Sequence, residues 1–123
     1  MKNYLLPAFL SALALFFISC AMPSTFQGDD NVITESMKAV SVHEDCMKVM
    51  PGQKIVYAFE VSMPVHFNLH YHVDSEMEYP IIEKAVSKGE NTYTAEIEQY
   101  YCLMWTNPHH AEATLRYTCT VTD

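Results

Sequence analysis

Glycine is scarce, three residues in a chain of 123, and none of them lies in a phosphate-cradling loop. No serine occupies a nucleophile elbow, and neither an HExxH pair nor a paired-carboxylate spacing stands out from the general acidity. A Cys102–His109 nucleophilic pair would need a reduced thiol in an oxidising compartment. The chain therefore reads as a non-enzyme. Basic residues are few as well: beyond Cys20 six stand against fifteen acidic ones, a formal charge of about −9. That balance excludes a nucleic-acid backbone as partner and leaves cations, protein surfaces or small neutral ligands.

Long apolar runs are also missing, except at the start. Lys2 precedes Leu5, Leu6, Ala8 to Leu10 and Ala12 to Ile18, a stretch too short for a comfortable bilayer crossing and without a basic stop-transfer flank. Residues 1–20 are read as an export signal. Phe17-Ile18-Ser19-Cys20 looks like a bacterial lipobox, which would place lipid on Cys20; Ser19-Cys20-Ala21 also suits ordinary signal peptidase. The protein is expected outside the cytoplasm, in the periplasm, on the outer membrane or secreted, touching a membrane only through that lipid. Residues 21–41 are polar in their first half and are read as a flexible tether or N-terminal extension. Residues 42–123 are then one domain, since about a hundred residues suffice for one modest core and not for two.

The body is patterned for strands. Ile55, Tyr57, Phe59 and Val61 alternate with Lys54, Val56, Ala58 and Glu60 after the Pro51-Gly52 turn. Val65, Phe67, Leu69, Tyr71 and Val73 share one face of the next strand, with His66, Asn68, His70, His72 and Asp74 on the other. Three further strands follow: Tyr93, Ala95 and Ile97; Tyr101, Leu103 and Trp105; and Ala113, Leu115, Tyr117, Cys119 and Val121. Helix competes only over Glu35 to Val49 and Ile81 to Lys88. Many short strands predict an all-β domain, a single small antiparallel β-sandwich of jelly-roll-like kind. The aromatic residues on the inward faces are core residues.

Histidine carries the strongest chemical signal. His70 and His72, two apart on a strand, project from one face about 7 Å apart at the backbone, a gap two imidazoles close onto one transition metal. His66 lies about 13 Å from His70 and joins only if the strand bends or bulges. Further ligands are offered by His109, His110, His43, Asp74 or Glu76, and convergence of Met47, Met50, Met63, Met77 or Met104 would favour copper over zinc. Set against this, the histidines are solvent-facing polar residues of an amphipathic strand, and His109-His110 an exposed turn after Pro108. The acidic Asp74, Glu76 and Glu78 are read as a loop that solvates the chain or draws a cation toward His70 and His72. Cys102 with His109 or His110 is similar to the start of a cupredoxin copper loop, but no methionine follows, which argues against blue-copper electron transfer.

Tyr101-Cys102-Leu103-Met104-Trp105-Thr106-Asn107 and then Leu115-Arg116-Tyr117 look like the last two strands of a known family. Cys46, Pro51-Gly52, the strands from Val56 and Val65, and Tyr79-Pro80 precede them in matching order. Through these residues the segment from about Val42 to Val121 resembles the GOLD domain, the lumenal β-sandwich of p24-type cargo receptors. Leu103, Trp105 and Asn107 fall on its apolar, aromatic and asparagine positions. The resemblance implies binding of proteins or lipid without catalytic residues. It also implies a disulfide between Cys46 and Cys102, although Cys102 lies two residues before the family position. Cys119 is then a free thiol packed as a small hydrophobe, or else enters a second pairing or a metal site. The coiled coil, membrane span and cytosolic tail of p24 receptors have no counterpart, so vesicle cargo sorting is not implied.

The leading functional expectation is an exported, lipid-anchored, non-enzymatic module that contacts a protein partner. The alternative is a periplasmic copper- or zinc-binding protein built on His70 and His72. A lipid carrier would demand an enclosed cavity that so small a core can hardly spare.

Overall fold

The alternation from Lys54 onward builds one strand of 20 residues where two were expected. The computed structural model describes Phe26 and residues 28–123. The export segment and Cys20 lie outside the described residues. In chain order the strands are β1 (Ile33–Met37), β2 (Ser41–Val49), β3 (Lys54–Val73), β4 (Glu76–Thr94), β5 (Gln99–Asn107) and β6 (Ala113–Thr122). They form one antiparallel sheet in the order β1-β6-β3-β5-β2, with β4 on the other side of β3. The domain is all-β, as its alternation predicts, and its sheet is curled.

The curl comes from β3. Its first part, Lys54 to Val61, pairs with β6; its second, His66 to Tyr71, pairs with β5. Between them the register against β4 slips from Glu60/Lys88 to Val65/Val86, so β3 carries extra residues at the corner. Pro64 sits there, where a missing N–H costs the ladder nothing. The Nε2–H of His109 donates to the Pro64 carbonyl at 2.6 Å and ties the corner to the segment after β5. The sheet thus has two wings, β1 with β6 and β2 with β5, joined through the bent β3–β4 ribbon.

Across the bend the inner faces meet. Phe59 and Phe67, on opposite sides of the corner, bring their rings to 4.7 Å, and Trp105 of β5 reaches Tyr117 of β6 at 4.7 Å although those strands do not pair. Tyr57, Phe59, Phe67, Tyr101, Trp105 and Tyr117 are all buried, and Tyr71 and Tyr93 pack against the same core. Such aromatic contacts contribute beyond their buried area.

Three sequence expectations change, and the helix alternative falls away. The segment read as a tether, 21–41, supplies β1, whose Met37 is buried and whose register runs Ile33↔Tyr117 to Met37↔Ala113. The two stretches where helix competed lie in β1, β2 and β4, because their exposed and half-buried residues edge a sheet. The supposed acidic loop holds only Asp74 and Ser75; Glu76 and Glu78 already belong to β4. The strand expected at Tyr93, Ala95 and Ile97 is instead the end of β4 and a turn, fixed by Ala95 N–H to the Gln53 carbonyl and Gly52 N–H to the Ala95 carbonyl.

Gly89 is needed by its neighbour. A Cβ there would lie 2.6 Å from Cε1 of Phe59 and 2.8 Å from its Cζ, and that ring is buried in the aromatic cluster. Gly89→Ala is expected to destabilise the domain by about 1–3 kcal/mol through overpacking, measured by urea unfolding.

Candidate metal centre

On β2, β3 and β5 the residues that do not face the core form rows across the second wing. His70 of β3 stands opposite Cys102 of β5, which stands opposite Cys46 of β2; one row along, Asn68, Met104 and Glu44 align in the same way. Cys46 and Cys102 are joined by a disulfide across this outer face. Cys102 is small, so His70 and Glu44 reach over it from the two flanking strands: Nε2 of His70 lies 3.1 Å from Oε1 of Glu44.

His70 is on the outward face and yet only 1% exposed. Its cover comes from a bulge. The β3–β4 register passes from Leu69↔Ile81 to Tyr71↔Glu78, leaving Tyr79 and Pro80 opposite His70 alone. Pro80 has no N–H to give the ladder, which suits a bulge on an outer strand. The Tyr79 ring stands 5.7 Å from the His70 ring, and the His72 ring 5.4 Å from it in an edge-on arrangement.

Both nitrogens of His70 are engaged. Nδ1 is 2.8 Å from Oδ1 of Asn68, an acceptor, so the Nδ1 proton is placed there. The neutral ring then turns its Nε2 lone pair onto a carboxylate oxygen. A ring lone pair and a carboxylate oxygen at this distance form a pair of donors that a metal ion would bridge. Burial holds the His70 pKa below its ordinary 6.5; the Glu44 carboxylate pulls the other way and the neighbouring His72 adds to the depression. A metal-ligating histidine usually donates its other ring N–H to a fixed acceptor, which sets the tautomer. Asn68 supplies that acceptor.

Donor atoms of Glu44, His70 and Cys102 lie within 4.8 Å of one another. With Cys102 in a disulfide, its sulfur is no thiolate, and the usable donors are the imidazole and the carboxylate. His72, exposed beside His70, is the nearest further imidazole. Met104 lies in the adjacent row and Met77 opposite His72, where the Tyr79 hydroxyl donates to its sulfur at 3.3 Å.

The other histidines proposed as ligands are held elsewhere. His66 Nδ1 accepts from the Ala85 N–H at 3.3 Å, His109 ties the Pro64 corner, and His110 is exposed after β5. The strand does bend as His66 would require, but the bend lies on its far side, between Val61 and Val65, and leaves the spacing from His66 to His70 intact. Asp74 and Glu76 sit at the β3–β4 turn, with Asp74 at φ 55°. His43 faces inward, its Nε2 3.2 Å from the Tyr117 hydroxyl, which itself donates to Asp45 at 3.0 Å. Cys119 is the free cysteine among the described residues; its thiol donates to Met47 Sδ at 3.3 Å, and burial pushes its pKa up to about 12. Glu44 and Asn68 went unread as site residues in the sequence. Their signal was positional: each lies two residues before Cys46 or His70 on the same strand face.

No family model matches the chain, and no curated protein matches it. Among solved structures, the pre-peptidase C-terminal domain of a collagenase from Bacillus anthracis is similar with a TM-score of 0.56 and 14% identity, over 72% of this chain and 87% of that one. That likeness is one of fold. PliG from Salmonella Typhimurium, a periplasmic inhibitor of g-type lysozyme, aligns with a TM-score of 0.44 and 15% identity, over 74% of this chain and 92% of the other. PliG from Aeromonas hydrophila aligns with the same TM-score, 0.44, and 11% identity, over 72% of this chain and 84% of the other.

Proposed function

We propose that this is an exported, non-catalytic module that binds a divalent transition ion, zinc or copper(II), on the outer face of its second wing. His70 Nε2 and Glu44 are the primary ligands and His72 the adjacent third. The observation that carries this reading is the buried imidazole, proton-donating to Asn68 on one side and facing a carboxylate at 3.1 Å on the other. Imidazole with carboxylate suits zinc or copper(II) rather than calcium or magnesium. Export is supported by the N-terminal segment and by a disulfide that persists only in an oxidising compartment. Lipid on Cys20 belongs to the same proposal. So does kinship with GOLD domains, supported by the linkage of Cys46 to the penultimate strand and the burial of Trp105 and Asn107. A sandwich description of the two wings is supported by the ring contacts across the bend.

A protein partner is the second reading, favoured by one feature. Val42, Tyr79, Ile82 and Tyr100, each at least 42% exposed, fringe the site. Scattered exposed apolar residues are ordinary, but four around one polar cluster centred on the buried His70 suit a docking face.

The test is a competitive chelator titration of the oxidised protein with zinc and with copper(II). His70→Ala is expected to weaken binding by about 100-fold or more, and Asn68→Ala by about 10–100-fold through loss of the tautomer-setting acceptor. His109→Ala is expected to leave affinity unchanged. Because the His70 pKa lies below 6.5, the proton competes with metal only below that pH, so affinity through His70 holds down to about 6.5 and then falls. The same shift acts on the metal-free fold. Above pH 6.5 His70 is neutral folded and unfolded; as pH drops from about 6.5 toward the lower folded pKa the unfolded chain takes the proton first and stability is lost. Equal affinity of wild type and His70→Ala would sink the reading.

A further inference from the structure

We infer that the Cys46–Cys102 disulfide and a four-donor metal site are two redox states of the same place on the sheet, so that reduction converts the His70/Glu44 site into a tighter thiolate site for zinc. The inference rests on the proposed metal reading of His70 and Glu44. A carboxylate oxygen of Glu44, a ring nitrogen of His70 and Sγ of Cys102 already converge within 4.8 Å of one another, and Cys46 Sγ is bonded to Cys102 Sγ. Opened, the disulfide frees two thiolates beside that nitrogen and oxygen: Cys102 Sγ already lies in the cluster, and Cys46 Sγ, outside it, swings in from the paired position on β2 to bring the donors to four, the number zinc takes in a closed tetrahedral site. Two thiolates on zinc stand about 3.8 Å apart, given Zn–S bonds of about 2.3 Å and tetrahedral angles. Directly paired residues with Cα atoms 4.0 Å apart present their sulfurs across that span after small side-chain rotations.

The framework does not depend on the bond. β2 and β5 pair in unbroken register from Ser41↔Asn107 to Val49↔Gln99, so the ladder keeps the two cysteines opposite each other. Access is one-sided: Cys46 is exposed and Cys102 is 5% exposed. A dithiol reductant therefore attacks Cys46. Its thiolate forms a bond to Cys46 Sγ, the Cys46–Cys102 bond breaks, and the electron pair leaves on Cys102. The reductant's second thiol resolves the mixed disulfide, freeing Cys46 and oxidising the reductant to its own disulfide. Zinc then binds both thiolates as their two protons pass to solvent, with His70 and Glu44 completing the shell. Metal occupancy and the disulfide exclude each other at these sulfurs, so bound zinc slows reoxidation.

The experiment compares the whole chain, air-oxidised and phosphine-reduced, by zinc competition and by the cobalt(II) spectrum. The expected result is zinc affinity at least 100-fold higher in the reduced protein, with a thiolate-to-cobalt charge-transfer band that the oxidised protein lacks and Cys102→Ser abolishes. A Cys46→Ser/Cys102→Ser variant, unable to form either state, is expected to bind zinc as the oxidised wild type does. If the oxidised protein and the double variant bind while reduction adds neither affinity nor the band, this inference fails and the proposed function stands. If those two bind nothing while the reduced protein shows the band, the redox site stands and the His70/Glu44 reading of the oxidised protein fails. Loss of the β-sheet circular-dichroism signal on reduction also overturns the inference, because the thiols would no longer share a register.

Discussion

Trp105→Ala is expected to be the most damaging single substitution in the domain, costing about 3–5 kcal/mol. The side chain has no solvent exposure and packs against Phe59 at 5.8 Å, Phe67 at 5.4 Å and Tyr117 at 4.7 Å, linking residues from both wings. Removing it leaves a cavity where the two wings of the curled sheet meet, and a sheet cannot collapse around a void without shifting register. Among the described residues its Nε1–H has no hydrogen-bond partner, so part of the indole's contribution is already offset by an unsatisfied donor. Trp105→Phe, which deletes that donor and keeps an aromatic ring, is therefore expected to cost less than half as much as Trp105→Ala. Equilibrium urea unfolding of both variants checks the ratio; equal losses would mean the indole N–H is not orphaned in solution.

Asn107→Ala is expected to cost about 3 kcal/mol or more by a different mechanism. Asn107 ends β5, is fully buried, and its Nδ2 donates to the carbonyls of Lys38 and Ala111 at 2.9 Å and more weakly to that of Met37 at 3.4 Å. Its Oδ1 accepts the His109 N–H at 3.0 Å. One amide thus satisfies backbone groups from the β1–β2 turn and from the loop after β5, and truncation strands them away from water. Because His109 in turn holds the Pro64 corner, the loss reaches the bend of β3. Asn107→Asp is expected to be at least as harmful, since it places a carboxylate oxygen against carbonyls. Thermal and urea unfolding test both; a loss below about 1 kcal/mol for Asn107→Ala would show that water replaces the amide.

Much of this domain was legible because its strands alternate. The inward positions Ile55, Tyr57, Phe59, Val65, Phe67, Leu69, Leu103, Trp105, Leu115 and Tyr117 are all buried, whereas Val73, Ile97 and Val121, read as inward at strand ends, are exposed. What the pattern does not encode is where one alternation passes into the next without a break: Val61 and Val65 keep phase, so the corner at Pro64 read as a gap between strands. β4 was missed except at its Tyr93 end, because an outer strand with one covered side carries charged and apolar residues on both faces, and Ile81 to Lys88 has no clean period. The candidate site was half legible. His70 and His72 announced themselves by spacing, whereas Glu44 acts from another strand and Asn68 looked like one more outward polar residue. Only the pairing of β2, β5 and β3, together with the bulge at Tyr79 and Pro80, turns an outward histidine into a buried one. His66 and His109 show the converse, since each is spent on backbone groups that no sequence pattern reveals.

The most direct test of the metal reading is long-range proton–nitrogen NMR of the imidazoles in the oxidised protein during zinc addition. The account predicts that the His70 Nε2 resonance moves to the metal-bound position while Nδ1 stays protonated against Asn68, with His72 following and His66 and His109 unmoved. Zinc binding that leaves both His70 nitrogens unchanged, or that shifts His109 or His110 instead, would contradict it.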